Sequence, residues 1–286
     1  MSAPAASEAQ RSAQRGEAER NQRGSAIELR GVFKGFHGQP VLRGVDLAIG
    51  TGETTVILGG SGSGKSVCMK HMIGLLRADA GHVFVLGRDV TRLSESGWVE
   101  VRRDFGMVFQ SAALFDSLSV YENLAYPIRE HERWAEARIG ERVAWCLAAV
   151  GLAGLEKLMP AELSGGMRKR VGVARAIALG PKIILYDEPT TGLDPANSRR
   201  IGELIQRLQR ELGVTSVVVT HDLELAFAIA DRVALLKQGR IVLEGPAAEL
   251  RDADPPELRE FIEGVEELPA AAAAAQRGAA KTREEA

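Results

Sequence analysis

Short runs of β-branched residues alternate along the chain with stretches in which apolar residues recur at helical spacing. The strand-like runs AIELRGVFKGF, VDLAIGTGETTVILGG and GHVFVLGRDV contain turn-forming glycines. Helical spacing follows in KSVCMKHMIGLL and in MRKRVGVARAIALG, which ends at the stop signal Gly180–Pro181. We expect the later runs KIILYDEP, TSVVVTHD and RVALLKQGRIVLEG to form buried strands. Strands that alternate with helices are typical of a mainly parallel sheet, so the pattern predicts an α/β protein.

A helical block interrupts this alternation before the sequence LSGG. The spacing is mostly helical from Ser111 to about Leu158, and we assign a second, helical lobe to about residues 111–165. The block carries Trp134 and Trp145. We interpret both tryptophans as anchors that pack the helices of the lobe together.

Both ends of the chain lack the apolar periodicity of folded elements. Residues 1–25 are a low-complexity mixture of Ala, Ser, Glu, Arg and Gln, and residues 266–286 include an alanine run without an apolar face. Such segments bury too little apolar surface to offset the entropy of ordering. We therefore predict a disordered leader, a folded body over 26–265 without an internal repeat, and a disordered tail.

The sequence gives no signal for membrane insertion or secretion. No stretch reaches the roughly 18 consecutive apolar residues that a membrane-spanning helix needs. The first residues are polar and lack the apolar centre of a secretory signal. We expect any membrane role to come through partners.

Composition narrows the class of function further. The chain has 36 basic and 38 acidic side chains, so no net field points to nucleic acid or to an anionic lipid surface, and we expect no nucleic-acid partner. Few aromatic residues and many glycines fit an α/β nucleotide-binding domain. Cys68 and Cys146 lie in apolar helical contexts, which favours buried, reduced thiols of a cytosolic protein. A disulfide between them is the alternative.

The segment GGSGSGKS, residues 59–66, has the pattern of a phosphate-binding loop and directly follows the apolar strand TTVIL. Glycines let successive backbone N–H groups face an anion, and the next helix adds its positive N-terminal end. Lys65 is predicted to contact the β- and γ-phosphates of ATP, and Ser66 to bind Mg²⁺. Val67 is a departure, since a second hydroxyl residue is usual there and would contact the α-phosphate. The predicted nucleotide-binding residues of this loop are Gly59, Gly60, Ser61, Gly62, Ser63, Gly64, Lys65, Ser66 and Val67.

An acidic pair ends another apolar strand. In IILYDEP, Asp187 and Glu188 stand at the strand tip, where one carboxylate can hold the metal and its neighbour can polarise a water at the γ-phosphate. An acidic turn after a strand is common, so the pair is informative only together with the phosphate loop. We predict that Asp187 is a metal ligand and Glu188 the general base.

A second glycine-rich segment, LSGG at Leu163–Gly166, resembles the signature of ATP-binding-cassette (ABC) ATPases. Four further motifs follow the order of that family. Gln110 in MVFQ is similar to its Q-loop, Asp194 in TTGLDP to its D-loop and His221 in VVVTHD to its switch histidine. Phe36 in FKGFHG falls where family members stack an aromatic ring on adenine.

The resemblance covers the whole predicted body and implies a fold. That fold is a P-loop NTPase cassette with a mainly parallel RecA-like sheet, an antiparallel β portion and an inserted helical lobe. It also implies that two chains pair head to tail, so that Ser164, Gly165 and Gly166 of one chain cap the nucleotide held by the other. By the same resemblance His221 and Gln110 sense the γ-phosphate, and Gln110 also contacts the metal.

Longer stretches resemble the Mla/Mce-type lipid-transport ATPases within this family. They are MVFQSAALFDSLSVYENLAYPIREH, GLAGLEKLMPAELSGG and DPPELREFIEGV, together with Met167 and Lys169 where many ABC proteins have glutamine. This resemblance implies a multispanning permease, a periplasmic Mce-domain lipid-binding protein and a small cytosolic accessory protein as partners. It also implies a location on the cytoplasmic face of an inner membrane, with attachment through the permease.

An apolar segment after the Q-loop has two interpretations. SAALFDSLSVYENLAYP supplies Leu114, Phe115 and Tyr121 near the groove where the family binds its permease. The three side chains form either part of the core or a coupling surface.

The resulting hypothesis is an ATP-hydrolysing subunit that powers movement of phospholipid or a related lipid between the inner and outer membranes. Two alternatives remain. One keeps the ATPase with another cargo, such as amino-acid import or lipoprotein release. The other is a non-transport ABC protein of translation or DNA maintenance, which the single cassette and the balanced charge disfavour.

Overall fold

The computed structural model of the chain describes residues 24–264. The predicted tail, and all but the last two residues of the predicted leader, lie outside the described residues. The strands are β1 (Ser25–Phe36), β2 (Gln39–Gly50), β3 (Thr54–Leu58), β4 (Ala80–Val85), β5 (Arg88–Asp89), β6 (Phe105–Val108), β7 (Ile183–Asp187), β8 (Thr215–Thr220), β9 (Arg232–Lys237) and β10 (Arg240–Pro246). The helices are α1 (Lys65–Met72), α2 (Glu95–Arg102), α3 (Val120–His131), α4 (Glu136–Ala149), α5 (Gly165–Ala176), α6 (Pro195–Leu212), α7 (Leu223–Ile229), α8 (Ala247–Ala253) and α9 (Pro256–Ile262).

A six-stranded sheet runs in the order β10-β9-β3-β8-β7-β6. Every pairing from β9 to β6 is parallel, and only the edge strand β10 is antiparallel to its neighbour. All residues of β3 and β8 are buried, as expected for strands covered on both faces. The mainly parallel sheet is thus confirmed. The expectation of a buried strand is wrong for most of β10, whose residues 240–244 alternate between exposed and partly buried because it lies at the edge.

A four-stranded antiparallel sheet, in the order β2-β1-β4-β5, forms the predicted antiparallel portion. Its longest pair, β1 and β2, is joined by a two-residue turn at His37 and Gly38, with φ of 51° and 80°. Positive φ at both central positions is typical of a tight hairpin turn. The turn leaves Phe36 at the tip of the sheet, with an exposed fraction of 39%.

The main hydrophobic core lies between the two sheets and α1. It takes Ile27 and Leu29 from the antiparallel sheet, Ile57 and Val219 from the parallel sheet, and Met69 from α1. All five side chains are essentially inaccessible to solvent. Because β3 and α1 both pack in this core, the loop between them is held in place at both ends.

Trp145 of the helical lobe differs from the sequence-based interpretation. Trp145 is 41% exposed, with the Arg142 guanidinium 4.3 Å from its ring centroid, and Trp134 is half-buried with Arg138 at 3.9 Å. A guanidinium lies over one face of each ring. The interpretation as a helix-packing anchor is wrong for Trp145, because the buried face of α4 is formed by smaller residues, Ile139, Val143, Cys146 and Leu147. For the half-buried Trp134, which precedes α4, it stays a prediction. Trp98 of α2 is the buried tryptophan, at 5% exposure.

The segment before α3 is a series of turns rather than a helix. Asn123, which is fully buried in α3, holds it in place. Its Oδ1 accepts a hydrogen bond from Phe115 N at 2.8 Å, and its Nδ2 donates to the carbonyls of Phe115 and Leu118 at 3.1 and 3.0 Å. The helical spacing of the lobe therefore applies to α3 and α4 only.

The chain divides into two compact units between Asp252 and Ala253. The second unit contains α9, where Arg259 donates to the Asp254 carboxylate at 2.7 Å. Among residues 24–264, no helix combines the length and apolarity that crossing a bilayer requires.

Both cysteines are buried and unpaired in the structure, which excludes the alternative of a disulfide between them. Burial raises the pKa of the Cys68 thiol to about 12 and that of Cys146 to about 11. Because the thiolate is the reactive form, we predict that less than about one tenth of the thiols react with a thiol-specific dye while the unfolded chain reacts fully. Rapid modification of the native protein, followed by absorbance, would contradict this burial.

Candidate nucleotide-binding site

The phosphate loop sits between a fully buried strand and a helix N-terminus. Residues 59–64 leave β3, and Gly64 caps α1 with φ of 105°, a conformation that glycine adopts without strain. A Cβ on Gly59 would lie 2.5 Å from Leu236 O and from Ser63 Oγ, so only glycine fits there. The loop therefore holds its backbone N–H groups at the start of α1, where the helix dipole favours an anion.

The side chain of Lys65 lies against the backbone of this loop. Its Nζ donates to the carbonyls of Gly59 at 2.8 Å and Gly60 at 3.0 Å and lies 3.6 Å from Glu188 Oε1. The side chain is only 8% exposed. A buried ammonium held at the mouth of an anion-binding loop is placed to contact a phosphate oxygen.

Ser66 and Asp187 meet although they are far apart in sequence. Ser66 Oγ lies 3.3 Å from Asp187 Oδ1, because the carboxyl end of β7 lies beside the start of α1. Burial raises the pKa of Asp187, while the hydrogen bond from Ser66 opposes that rise and the Glu188 carboxylate adds to it. A hydroxyl and a carboxylate oxygen are ligands that Mg²⁺ prefers.

Glu188 follows β7 in a left-handed conformation with φ of 47°, which costs a non-glycine residue roughly 1–2 kcal/mol. Its amide donates to Val219 O on β8 at 2.9 Å, which holds the turn in place. The carboxylate is 13% exposed. Oε2 accepts hydrogen bonds from Thr191 Oγ1 at 3.3 Å and Thr220 Oγ1 at 3.4 Å. Backbone strain at a functional carboxylate is typical of a preorganised site.

His221 and Gln110 differ in how the structure places them. His221 Nδ1 lies 2.9 Å from Glu188 Oε2, and the ring is 61% exposed. Gln110 follows β6 and is exposed, and its backbone carbonyl accepts a hydrogen bond from Lys169 Nζ. The structure thus brings His221 into the group of Lys65 and Glu188, whereas it connects Gln110 to that group through Lys169.

The signature segment begins α5. Ser164 caps this helix, with Oγ accepting from Met167 N at 3.2 Å, and both Ser164 and Gly165 are exposed. Gly166 is buried against α6, where a Cβ at this position would lie 3.1 Å from Asn197 Oδ1. The capping serine therefore stands at an exposed helix N-terminus, where an anion from another molecule can be bound.

Asp194 caps α6 next to the signature. Its Oδ1 accepts from the amides of Ala196 and Asn197, both at 3.0 Å, and its Oδ2 accepts from Asn197 Nδ2 at 2.5 Å. The hydrogen bonds from Asn197 lower the pKa of the Asp194 carboxyl. Asp194 thus orders the turn that contacts the signature segment of the same chain.

The exposed ring of Phe36 lies close to the ammonium of Lys34, which forms an ion pair with Asp79. Lys34 Nζ lies 5.5 Å from the centroid of the Phe36 ring and donates to Asp79 Oδ1 at 2.7 Å. Asp79 also accepts from Gly35 N at 2.8 Å. Val67 of α1 is partly buried and packs against the main core, so its side chain has a structural partner.

The residues of this site fit ATP and Mg²⁺. Ser63 Oγ is buried in the phosphate loop without a hydrogen-bond partner among the described residues, as expected of a group that a phosphate oxygen would satisfy. Within residues 24–264 no group of three or more His, Cys, Asp or Glu is arranged to hold a metal by itself. Ser66 and Asp187, whose oxygens lie 3.3 Å apart, are placed to bind Mg²⁺.

Lys169 contacts two segments of the candidate site, although sequence reasoning gave it no role there. It is 7% exposed, and its Nζ donates to Gln110 O and, at 3.4 Å, to Glu188 O. Burial lowers the pKa of its ammonium, and the Glu188 and Asp187 carboxylates oppose that shift. The only signal in the sequence was the departure from glutamine at this position of the signature helix.

A family model described as "ABC transporter" matches residues 42–191. The match spans the phosphate loop, the segment that follows β6, the signature and the acidic pair. The chain therefore belongs to the ABC transporter ATP-binding family, which confirms the resemblance seen in its motifs. As a member of that family it is an ATP-binding subunit with the ATPase cassette fold.

Relatives with different printed cargoes are similar to this chain. The "Probable ribonucleotide transport ATP-binding protein mkl" of Mycobacterium tuberculosis is 42% identical over 241 residues, 84% of this chain and 67% of that protein. The "Methionine import ATP-binding protein MetN" of Symbiobacterium thermophilum is 44% identical over 246 residues, 84% of this chain and 74% of that protein. The "Intermembrane phospholipid transport system ATP-binding protein MlaF" of Escherichia coli is 38% identical over 243 residues, 85% of this chain and 90% of that protein.

A solved structure supports the fold independently. The ATP-binding cassette MJ0796, in a dimeric post-hydrolysis state bound to ADP and Pi, is 34% identical, with a TM-score of 0.71 over 77% of this chain and 98% of that one. The predicted cassette fold, with parallel and antiparallel sheets, is thereby confirmed. The relative itself is described as a dimer with hydrolysis products bound.

Proposed function

We propose that this chain is the ATP-hydrolysing subunit of a transporter that moves phospholipid, or a related lipid, between the inner and outer membranes. The observation that carries the lipid assignment is the similarity to MlaF, which extends over 90% of that protein. The basic signature segment MRKR and the segment after Gln110 agree with the same subfamily. The ATPase assignment itself rests on the family membership and on the site geometry.

The proposed mechanism follows from the contacts of the acidic pair. Asp187 and Ser66 would hold Mg²⁺, with Gln110 as the third protein ligand, and the bound ion would supply positive charge at the phosphates. Lys65 would contact the phosphates directly. Glu188 takes the proton of the attacking water, since its carboxylate is nearly buried beside Lys65 and is oriented by hydroxyl donors.

His221 is proposed to contact the γ-phosphate. Its Nδ1 is already engaged with Glu188 Oε2, and the ring is more than half exposed. The remaining ring nitrogen is therefore free to face a nucleotide while the carboxylate fixes the orientation of the ring. Phe36, which is exposed at the tip of the β1–β2 hairpin, is proposed to stack on adenine.

A second copy of the chain is proposed to complete each site. Ser164 and Gly165 are exposed at the N-terminus of α5, and Asp194 orders the adjacent turn. In a head-to-tail pair these groups would face the nucleotide held by the phosphate loop of the partner. The dimeric state of MJ0796 supports this arrangement.

The permease surface is proposed to lie at an exposed aromatic pair after Gln110. Phe115 is 48% exposed and Tyr126 46%, and their rings meet edge to face with centroids 5.5 Å apart. Leu114 and Tyr121 are only partly exposed. Of the two interpretations of this segment, an exposed aromatic pair favours the coupling surface. The periplasmic Mce-domain protein, the small accessory protein and the cytoplasmic inner-membrane face are proposed from the similarity to MlaF.

Isolation of the assembled transporter tests the cargo. The tagged full chain, extracted from its own membranes in mild detergent, should copurify with a multispanning permease, an Mce-domain protein and bound phospholipid, identified by mass spectrometry. ATP hydrolysis by the complex should respond to phospholipid and not to methionine or ribonucleotides. The MetN and mkl similarities define the opposite outcome, in which methionine or a ribonucleotide stimulates hydrolysis. Absence of any permease would favour the non-transport alternative.

Replacement of Ser164 by arginine is expected to separate binding from hydrolysis. The bulky cation blocks the capping position, while the phosphate loop of the same chain is unchanged. We predict that phosphate release falls by about 100-fold or more and that nucleotide affinity of the isolated chain changes less than about threefold. Ser94→Arg is a matched control, because Ser94 is also an exposed helix cap that accepts from the amide three residues later. A parallel loss of nucleotide binding would show that the signature acts within its own chain.

A further inference from the structure

Lys169 joins two segments that carry different parts of the proposed chemistry. Gln110 follows β6 and Glu188 follows β7, and these two strands are parallel neighbours. The ammonium of Lys169 donates to the backbone carbonyls of both residues, at 3.4 Å for Glu188. One side chain of the signature helix thus bridges the carboxyl ends of two adjacent strands.

The bridge belongs to a longer contact between α5 and the segment after Gln110. Arg175 donates to the carbonyls of Ala112 at 3.0 Å and Ala113 at 2.7 Å. Between them, a Cβ on Gly172 would lie 3.3 Å from the Cβ of Ala112. Lys169, Gly172 and Arg175 recur every three residues, which places them along one face of the helix.

The backbone held by this contact has a strained conformation. Ala112 and Ala113 have φ of 63° and 47°, both in the left-handed region, where non-glycine residues are strained. Glu188 is in the same region with φ of 47°. The carbonyls that accept hydrogen bonds from α5 therefore belong to strained residues or to their near neighbours. These hydrogen bonds stabilise the strained conformation.

Lys169 differs from Arg175 in reaching the acidic pair. The guanidinium of Arg175 donates to the segment after Gln110, whereas the ammonium of Lys169 also donates to the carbonyl of Glu188, the residue proposed as general base. Lys169 as a residue is only 7% exposed, and a buried ammonium needs hydrogen-bond acceptors, which the two carbonyls supply. Replacing it would leave both carbonyls without this donor.

We propose that Lys169 is a positioning residue for ATP hydrolysis, which fixes the backbone of Glu188 relative to Gln110 so that the Glu188 carboxylate is held at the attacking water. The proposal rests on the proposed function, since it assumes that Glu188 is the general base. It adds a contact made by the signature helix within its own chain, besides the capping role proposed for Ser164 toward the partner. A displacement of the base by a fraction of a bond length is enough to slow proton transfer.

The test compares three variants of the full chain. Lys169→Met removes the ammonium at similar volume, Lys169→Arg keeps a charged donor, and Arg170→Met is the matched control. Arg170 is the next residue of α5 and donates to the carbonyls of Val150 and Gly151, both at 3.4 Å, away from the acidic pair. For each variant we would measure kcat and KM by phosphate release, affinity for a fluorescent ATP analogue, and the thermal melting curve.

We expect kcat of Lys169→Met to fall about 10-fold to 100-fold while KM and analogue affinity change less than about threefold. Lys169→Arg should recover most of the rate, and Arg170→Met should keep kcat within about twofold of the unmodified chain. A purely structural lysine would lower the melting temperature without this selective loss of kcat. If Lys169→Met melts below the assay temperature, Lys169→Leu, which also lacks a donor, takes its place with the same expectation of lower kcat.

Two results would overturn the proposal. One is an unchanged kcat in Lys169→Met, or in Lys169→Leu when that variant replaces it. The other is a loss of nucleotide affinity in proportion to kcat. Failure of the proposed function has a different signature, because Glu188→Gln would then hydrolyse ATP like the unmodified chain. An active enzyme that needs Glu188 but tolerates Lys169→Met would refute the inference on Lys169 alone.

Discussion

Lys65→Ala is expected to reduce ATP turnover by about 100-fold or more while leaving the fold intact. The reason is the position of the ammonium, which is held by two loop carbonyls and is nearly inaccessible to solvent. A charge in such a site stabilises the negative charge of the transferring phosphoryl group far more than it would in water. Phosphate release measures the rate, and circular dichroism checks the fold.

Lys182→Ala is the control for Lys65→Ala. Lys182 immediately precedes β7, at the end of the strand opposite to Asp187, and its exposed side chain pairs with Asp104 at 3.0 Å. This variant should hydrolyse ATP like the unmodified chain, because an exposed ion pair contributes little to stability and the site is untouched. Near-normal hydrolysis by Lys65→Ala would refute the assignment of the phosphate loop.

Glu188→Gln is expected to bind ATP and to hydrolyse it about 100-fold to 10,000-fold more slowly. The amide keeps the size of the side chain and its contacts with the hydroxyls of Thr191 and Thr220, but it does not accept the proton of the water. Because ATP is not consumed, pairs of chains should accumulate in an ATP-bound, closed form. Light scattering with and without Mg²⁺-ATP measures the pairing, and single-turnover hydrolysis measures the rate.

Asp187→Asn should behave differently from Glu188→Gln. Asp187 contacts Ser66, so its replacement weakens the metal site and lowers nucleotide affinity itself. Rapid hydrolysis by Glu188→Gln would reject Glu188 as the base. Slow hydrolysis without ATP-dependent pairing would keep the base and count against a site shared by two chains.

The sequence predicts those parts of the site whose functional residues are adjacent along the chain. Residues 59–66 form one loop after one strand, and Asp187 with Glu188 end another, so local patterns indicate both. Parallel strands bring their carboxyl ends to one edge of a sheet, which is why the contact of Ser66 with Asp187 follows from the fold class. The alternation of strand-like and helical runs predicts the mainly parallel sheet, whereas the antiparallel portion was implied by the resemblance to the ABC family.

Features that depend on distant packing were not predictable. Lys169 meets carbonyls 59 and 19 residues away, and no spacing within α5 indicates those partners. Trp145 was interpreted as a helix-packing anchor because large aromatic side chains bury much apolar surface. Its exposure follows from the smaller residues that fill the buried face of α4 and from the Arg142 guanidinium over its ring.

The turns before α3 show the same limit. Apolar residues at helical spacing suggested helix from Ser111 onward, but Asn123 binds the backbone of Phe115 and Leu118 and stabilises turns instead. A side chain that bonds backbone groups offers the chain an alternative to helix. The position of the Asn123 side chain depends on the burial of α3. The local pattern of the segment before α3 does not indicate that burial.

Mixing two inactive variants tests most directly whether each site is shared by two chains. Lys65→Ala lacks a working phosphate loop and Ser164→Arg lacks a working signature, so neither alone should hydrolyse ATP. In an equal mixture about half of the pairs are heterodimers, and in a head-to-tail pair each of these has one intact site, about one quarter of all sites. The account predicts that phosphate release reappears on mixing at roughly that fraction of the unmodified rate. A mixture as inactive as its two components would contradict it.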